Sequence, residues 1–260
     1  MTAKFLKRHA PLILGAVSMI GICVIWQAVV DLGFMNPFFV SRPTDVAQEI
    51  LTQAEDGQLL RNIMESMKSF LIAISMAGVV GVGLGLLAGW FRDAEAALSP
   101  FIWFKYSAPT IAFYPIFIAF LGYGTPTIVA VAFLFALTPI YANTLAGIRS
   151  ADRDLVRAAR AFGARPLDIF LKVALPSSVP IVVAGLRLGV GRALTGVVVA
   201  ELFGATAGLG YAVAESSQRL QTTRMMASII VIIIIGVLLT QILSWAEKRT
   251  DAWRVQPDAA

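Results

Sequence analysis

The chain has almost none of the residues that staple a fold or hold a metal: of 260 residues, one is cysteine, Cys23, and one is histidine, His9. A lone cysteine forms no intrachain disulfide, and with a single imidazole no His/Cys metal cluster can be assembled. Charge is scarce as well. Asp, Glu, Lys and Arg make up 14% of the chain, against about 25% in a globular domain. The place of charge is taken by apolar residues, at 58%, and mean hydropathy is +0.78. These values exclude a soluble domain, a disordered chain, a collagen, a disulfide scaffold and a coiled coil. The length accommodates about six membrane-spanning helices of roughly 20 residues each. The expected fold class is therefore all-α integral membrane, one domain over residues 1–260.

Six apolar segments are expected to span: 11–31, 64–90, 100–121, 125–148, 178–202 and 225–245. The first follows a basic leader, Lys4, Lys7 and Arg8; its apolar run is too long for a signal peptide and no small-x-small cleavage site follows. The second carries Gly78, Gly81, Gly83, Gly85 and Gly89, which permit close helix packing. Pro109 and Pro115 interrupt the third, and the fourth contains Pro126 and Pro139. Residues 41–62 open with Ser41-Arg42-Pro43-Thr44-Asp45, a helix start with Pro near the first turn. Val46, Ile50 and Leu51 then recur at helical spacing, which predicts an outer amphipathic segment. Residues 204–224 predict an outer loop with a short helix.

The net charge of +5 has an orientation. One set of gaps holds Lys4, Lys7, Arg8, Arg92, Arg149, Arg153, Arg157, Arg160, Arg165, Lys172, Lys248, Arg249 and Arg254, thirteen in all; the opposite set holds four, Arg42, Arg61, Arg219 and Arg224. The positive-inside rule puts both termini in the cytoplasm, which six spans satisfy and five do not. Topology thus explains the basic balance without nucleic acid as a partner.

The most informative stretch is the cytoplasmic segment 150–177. Asp154 is expected to cap a helix through Phe162, with Gly163 at its C-terminal end. Pro166 begins a second helix with Asp168 near its positive end, and Pro176 marks a break before the next span. Small Ala158 and Ala159 lie to one side; Leu167, Phe170 and Leu171 lie to another and need a groove to fill.

This segment resembles the EAA loop of binding-protein-dependent ABC importer permeases: Glu-Ala-Ala, three residues, Gly, nine residues, an aliphatic residue, one residue, Leu-Pro. Ala158, Ala159, Gly163, Val173, Leu175 and Pro176 stand at those spacings, and Arg157 replaces the motif Glu. Ser41-Arg42-Pro43-Thr44, the Gly78–Gly89 span, Pro109 to Gly124, and Ala200-Glu201-Leu202-Phe203-Gly204 with Gly208-Leu209-Gly210 are similar to the nitrate/sulfonate/taurine/bicarbonate subgroup. The resemblance implies the permease fold of type I ABC importers and a loop that forms a coupling helix. It also implies a homodimeric permease, two separate ABC ATPase subunits that bind ATP and Mg2+, and a solute-binding protein on the outer face. Import by alternating access of a sulfonate-, taurine- or nitrate-like anion, or of a vitamin precursor, would follow, at the bacterial inner membrane. Arg157 leaves the loop's shape intact and puts its usual polar contact in question. No Gly-x-x-x-x-Gly-Lys-Ser/Thr loop occurs in the chain, so ATP hydrolysis is assigned to another subunit and the chain is not expected to be an enzyme.

Arg187 and Arg192 fall inside the fifth span, roughly 12 and 20 Å from its start at 1.5 Å per residue. Two readings stand for them: a positive path that attracts anions, or structural arginines bonded to carbonyls or an acid. Arg187 and Glu201 are about 21 Å apart along the axis, too far to pair. Glu65 and Lys68 are spaced for an intrahelical pair, and Lys105 is expected to snorkel. Tyr114, with Tyr106, Tyr123 and Phe113, either lines a path or packs. Candidate path residues are thus Arg187, Arg192, Glu201 and Tyr114, with no catalytic residue and no metal ligand. A stand-alone secondary transporter or channel is the competing class; an intramembrane enzyme lacks a Ser/His, paired-Asp or metal constellation within the spans.

Overall fold

The computed structural model describes residues 2–251. Arg254, counted above in the C-terminus, lies outside the described residues, as do the side chains of Lys4, Lys7, Arg8, His9, Lys248 and Arg249. Among the described residues all regular structure is helical: α1 (Thr2–Asp31), α2 (Pro43–Glu55), α3 (Gln58–Trp90), α4 (Arg92–Ser107), α5 (Tyr114–Leu121), α6 (Thr125–Arg149), α7 (Arg153–Ala161), α8 (Pro166–Ile169), α9 (Leu175–Gly204), α10 (Leu209–Gln218) and α11 (Thr222–Asp251). Four helical stretches are long and apolar enough to cross a membrane: Gln58–Trp90, Thr125–Arg149, Pro166–Gly204 and Thr222–Trp245. A fifth is the pair Arg92–Ser107 and Thr110–Leu121, bent by 98°. In α1 the apolar stretch Val17–Asp31 is shorter.

The core is a sandwich with α6 in the middle, between α3 and α9. Its closeness follows from glycine. A Cβ on Gly85 would lie 2.5 Å from Thr144 Cβ, one on Gly89 2.7 Å from Ile148 Cβ, and one on Gly81 2.9 Å from Ile140 Cγ2. The three glycines recur every four residues, as do Ile140, Thr144 and Ile148, so two helix faces mesh along matching ridges. On the other side of α6, Gly185 meets Asn143 and Gly196 meets Ala132 and Phe135. Thr144 can be fully buried because its hydroxyl donates to Ile140 O at 2.8 Å. Around this core Phe101, Phe104 and Phe120 are exposed, as residues facing hydrocarbon are.

Of two expected breaks, one is present and one is not. The interruption expected in 100–121 is present and sharp: α4 begins at Arg92, ahead of the expected bound, ends at Ser107, and turns through Thr110–Phe113 into α5. The sequence Ala108-Pro109 explains the corner, since the residue before proline is pushed to extended backbone, as Ala108 is at φ −81 and ψ 137. Pro176, by contrast, breaks nothing. Helix α8 continues through a π turn, Phe170–Ala174, into α9. The Leu175 N–H reaches back to Phe170 O, one residue further than an α-helical bond. That wider turn makes room for the proline ring, which would otherwise press on the carbonyl four residues earlier.

Candidate functional site

Three groups of residues carry the chemistry: the segment between α6 and α9, the carboxylate at the end of α9, and the cations within the spans.

In the segment, the cap is Asp152 rather than Asp154. The Asp152 carboxylate accepts from Asp154 N at 2.7 Å, because Asp152 holds the extended backbone of a capping residue. Helix α7 ends in a paired closure: Gly163 N–H donates to Arg160 O and Ala164 N–H to Ala159 O, both at 3.0 Å, with Gly163 at φ +78. This is the Schellman arrangement, and the left-handed position suits glycine. Arg157 stands 3.7 Å from Asp154 with both side chains exposed, a weak contact within the helix. Ala158 is exposed and Ala159 half-buried; Val173 and Leu175 are half-buried and Pro176 exposed. Lys172 pairs with Asp168 at 2.9 Å, and that hydrogen bond and charge hold the Asp168 carboxyl below the usual carboxylate range. The Arg149–Glu95 pair ties the end of α6 to the first turn of α4.

Leu167 and Leu171, expected to form one apolar face, are both exposed. Phe170 is not part of that face: its ring packs 5.0 Å from that of Trp90 at the end of α3. The residues that sequence reasoning missed are Phe162, 92% exposed, and Leu155, 58% exposed.

At the other end of α9, Glu201 is 1% exposed and fully engaged. Ser66 of α3 donates to both carboxylate oxygens, at 2.8 and 2.9 Å, and Gly210 N–H donates at 2.8 Å. Leu209 N–H donates in turn to Ser66 Oγ, and Gly208 N–H to Asn62 Oδ1. The carboxyl group thus sits at the N-terminus of α10, where the first backbone N–H groups of that helix supply donors. Gly208 and Gly210 are needed there: a Cβ on the first would lie 2.5 Å from the Glu201 carboxyl, and one on the second 2.4 Å from Val198 O. Tyr114 is buried against Phe203 with ring centroids 5.9 Å apart, and its hydroxyl lies where a Gly204 side chain would be. Tyr123 is exposed.

The two span arginines go to different places. Arg187 pairs with Glu247 of α11 at 2.7 Å. Arg192 lines a cavity of about 460 Å3 together with Lys105, Trp103, Tyr106 and Thr138. Lys105 does not snorkel. Its ammonium turns inward and donates to Thr138 Oγ1 at 2.9 Å and to Leu134 O, two polar groups of α6 within its reach. Glu65 and Lys68 form no ion pair; Glu65 is half-buried whereas Lys68 points outward. Among the described residues no group of three His, Cys, Asp or Glu is placed to hold a metal ion.

Comparison with known proteins agrees with this architecture. The chain is 29% identical over 253 residues to the taurine transport system permease protein TauC of Escherichia coli, covering 95% of this chain and 91% of that one. It is 30% identical over 233 residues to the putative aliphatic sulfonates transport permease protein SsuC of Bacillus subtilis, covering 90% and 84%, and 32% identical over 233 residues to the Escherichia coli protein of that name, covering 90% and 87%. A solved structure of the methionine ABC transporter MetNI in inward-facing conformations matches with a TM-score of 0.68 at 19% identity, over 74% of this chain and 96% of that one; at that identity the likeness is one of fold. Residues 81–253, which hold the α3–α6 ridge, the α7 segment, Glu201 and all of α11, match the model of the binding-protein-dependent transport system inner membrane component. The chain belongs to that family, the multi-pass inner-membrane permeases of ABC transporters.

Proposed function

We propose that the chain is the permease subunit of an ATP-driven importer for small sulfonate- or taurine-like anions. The single observation that carries the coupling role is Phe162: a large apolar side chain, 92% exposed, at the tip of a short capped helix between two long spans. Such a residue needs a partner's groove. We assign that groove to an ATPase subunit, with ATP and Mg2+ bound there and not by this chain. Arg157 then faces the partner as a positive charge, and a matched acidic position on the ATPase would receive it. Two permease copies, two ATPases and a solute-binding protein on the side of α2 and α10 complete the assembly. In this arrangement six spans cross the inner membrane, with α1 as the first and both termini cytoplasmic.

The way the parts connect supports alternating access. Helix α8 is continuous with α9 through the π turn, so a displacement of α7 and α8 by the ATPase is passed along α9 to the end that holds Glu201 and α10. The binding protein releases its solute on meeting the outward-open state, and by linkage it favours that state equally. The sulfonate or taurine assignment rests on the names of the relatives and on cationic residues within the spans. A stand-alone transporter is the competing reading.

Reconstitution in proteoliposomes decides between them. With the ATPase and binding protein present, labelled taurine accumulates only when ATP is supplied, and Gly163→Arg abolishes accumulation. Uptake without the ATPase, or uptake that Gly163→Arg leaves intact, sinks the proposal.

A further inference from the structure

The cavity shared by α4, α6 and α9 has a charge pattern that the packing of the bundle does not account for. Lys105 and Arg192 both line it, and no Asp or Glu does. Among the described residues Arg192 has no ion-pair partner, in contrast to Arg187, which has Glu247. Both cations sit well along their helices at this cavity, Lys105 half-buried and Arg192 exposed at its surface. Lys105 is thirteen residues along α4 from Arg92 and Arg192 is seventeen along α9 from Leu175, roughly 20 and 25 Å from those helix starts. Two uncompensated cations lining one cavity repel each other, and within a membrane span each needs an anion or water. A structural role would be served by a carboxylate, as at Arg187, and none is present.

The donors also have a shape. Two of the Lys105 ammonium protons are engaged by Leu134 O and Thr138 Oγ1, which fixes the side chain and leaves one proton directed elsewhere. Arg192 brings a planar fork of donors, which matches an anion with several oxygens better than a halide. Trp103 and Tyr106, with ring centroids 5.8 Å apart and nearly perpendicular, supply an apolar wall beside the charges. The volume of about 460 Å3 holds a small organic anion.

We infer that this cavity is a binding site for a small organic oxyanion, with Lys105 and Arg192 clamping the charged head and Trp103 and Tyr106 receiving the carbon portion. The inference rests on the import reading above and names the place within the permease where the solute pauses. It also separates the two span arginines: Arg192 meets solute and Arg187 does not.

The test uses the full-length chain in nanodiscs of zwitterionic phosphatidylcholine, with methanesulfonate as the probe and saturation-transfer NMR as the readout, since weak binding is expected. Wild type and Lys105→Arg give a saturable signal; Lys105→Met and Arg192→Gln, monodisperse on size exclusion, lower apparent affinity about tenfold or more, whereas Lys68→Gln leaves it unchanged. A signal equal in all five proteins, or none in wild type, overturns the inference. So does a signal that disappears when phosphatidylglycerol is added to the discs, because the occupant is then a lipid headgroup. In the reconstituted importer, taurine uptake falls in parallel with the NMR signal while ATP hydrolysis stimulated by the binding protein persists. A wild-type chain that binds methanesulfonate yet imports no taurine overturns the substrate assigned above and leaves the cavity as an oxyanion site.

Discussion

The Ser66 hydroxyl donates to both oxygens of the Glu201 carboxylate, at 2.8 and 2.9 Å, across 135 residues of sequence. The same hydroxyl oxygen accepts from Leu209 N–H, so one serine joins α3, the end of α9 and the start of α10. Removing it leaves a buried carboxylate and a buried N–H each short of a partner, at about 1–3 kcal/mol per group. Ser66→Ala is therefore expected to lower the thermal unfolding temperature of the purified protein. Glu201→Ala should lower it further, because Ser66 and Gly210 N–H then both lose their acceptor, and Glu201→Gln less, since its carbonyl still accepts. Equal unfolding temperatures for Glu201→Ala and wild type would show that the contact contributes nothing.

Gly83 and Gly85 are two residues apart on α3 and face opposite ways. A Cβ at position 83 meets nothing within 4 Å, whereas one at 85 would lie 2.5 Å from Thr144 Cβ and 3.0 Å from Tyr141 O. Neither neighbour is the tip of a flexible side chain, so the helices must part. Gly85→Ala is expected to destabilise by about 1–3 kcal/mol, the cost of overpacking. Gly83→Ala should be neutral or slightly stabilising, as the helix propensity of alanine exceeds that of glycine. Thermal unfolding of the two variants side by side checks the difference; the same loss for both would mean that glycine flexibility, and not close approach, is what α3 requires.

Phe162 and Phe170 are eight residues apart and have opposite environments. Phe170 packs on Trp90, and Phe162 is 92% exposed. Phe170→Ala is expected to cost about 2 kcal/mol, less than for a fully buried phenylalanine because the ring is half-buried. Phe162→Ala should change stability by about 0.5 kcal/mol or less, yet reduce co-purification of the ATPase. Thermal unfolding and affinity capture, measured on the same preparations, give opposite rankings of the two variants if the assignment is right.

How much of this was legible depends on the distance over which each feature is determined. The long apolar runs, the amphipathic start at Pro43 and the Gly163 closure depend on neighbours within a few residues, and the sequence pattern predicts them. The glycines at 81, 85 and 89 were legible as packing residues, but their mates Ile140, Thr144 and Ile148 were not, because nothing local announces which helix a ridge will meet. Glu201 was singled out without Ser66 for the same reason. Lys105 was misread because a lysine near a span's expected end ordinarily reaches for water; the polar groups on α6 are what turn it inward. Pro176 was misread as a break because one proline carries two meanings, and a π turn that makes room for its ring has no signature in a single sequence.

Arg187 and Glu247 come from α9 and α11, at 2.7 Å, with side-chain exposures of 45% and 20%. The pair fastens the C-terminal part of α11 to α9, beyond Ile235, Leu239 and Leu243, which pack on the core. Partial exposure screens the attraction, so a double-mutant cycle should give a coupling of about 1 kcal/mol or less. Arg187→Gln alone is expected to lower the unfolding temperature, and the exchanged pair Arg187→Glu with Glu247→Arg to recover part of the loss. Because Arg187 does not line the cavity that holds Lys105 and Arg192, the solute concentration for half-maximal uptake should be the same in Arg187→Gln as in wild type once uptake is scaled to folded protein. A rise in that concentration, with stability unaltered, would move Arg187 from the scaffold to the solute's route.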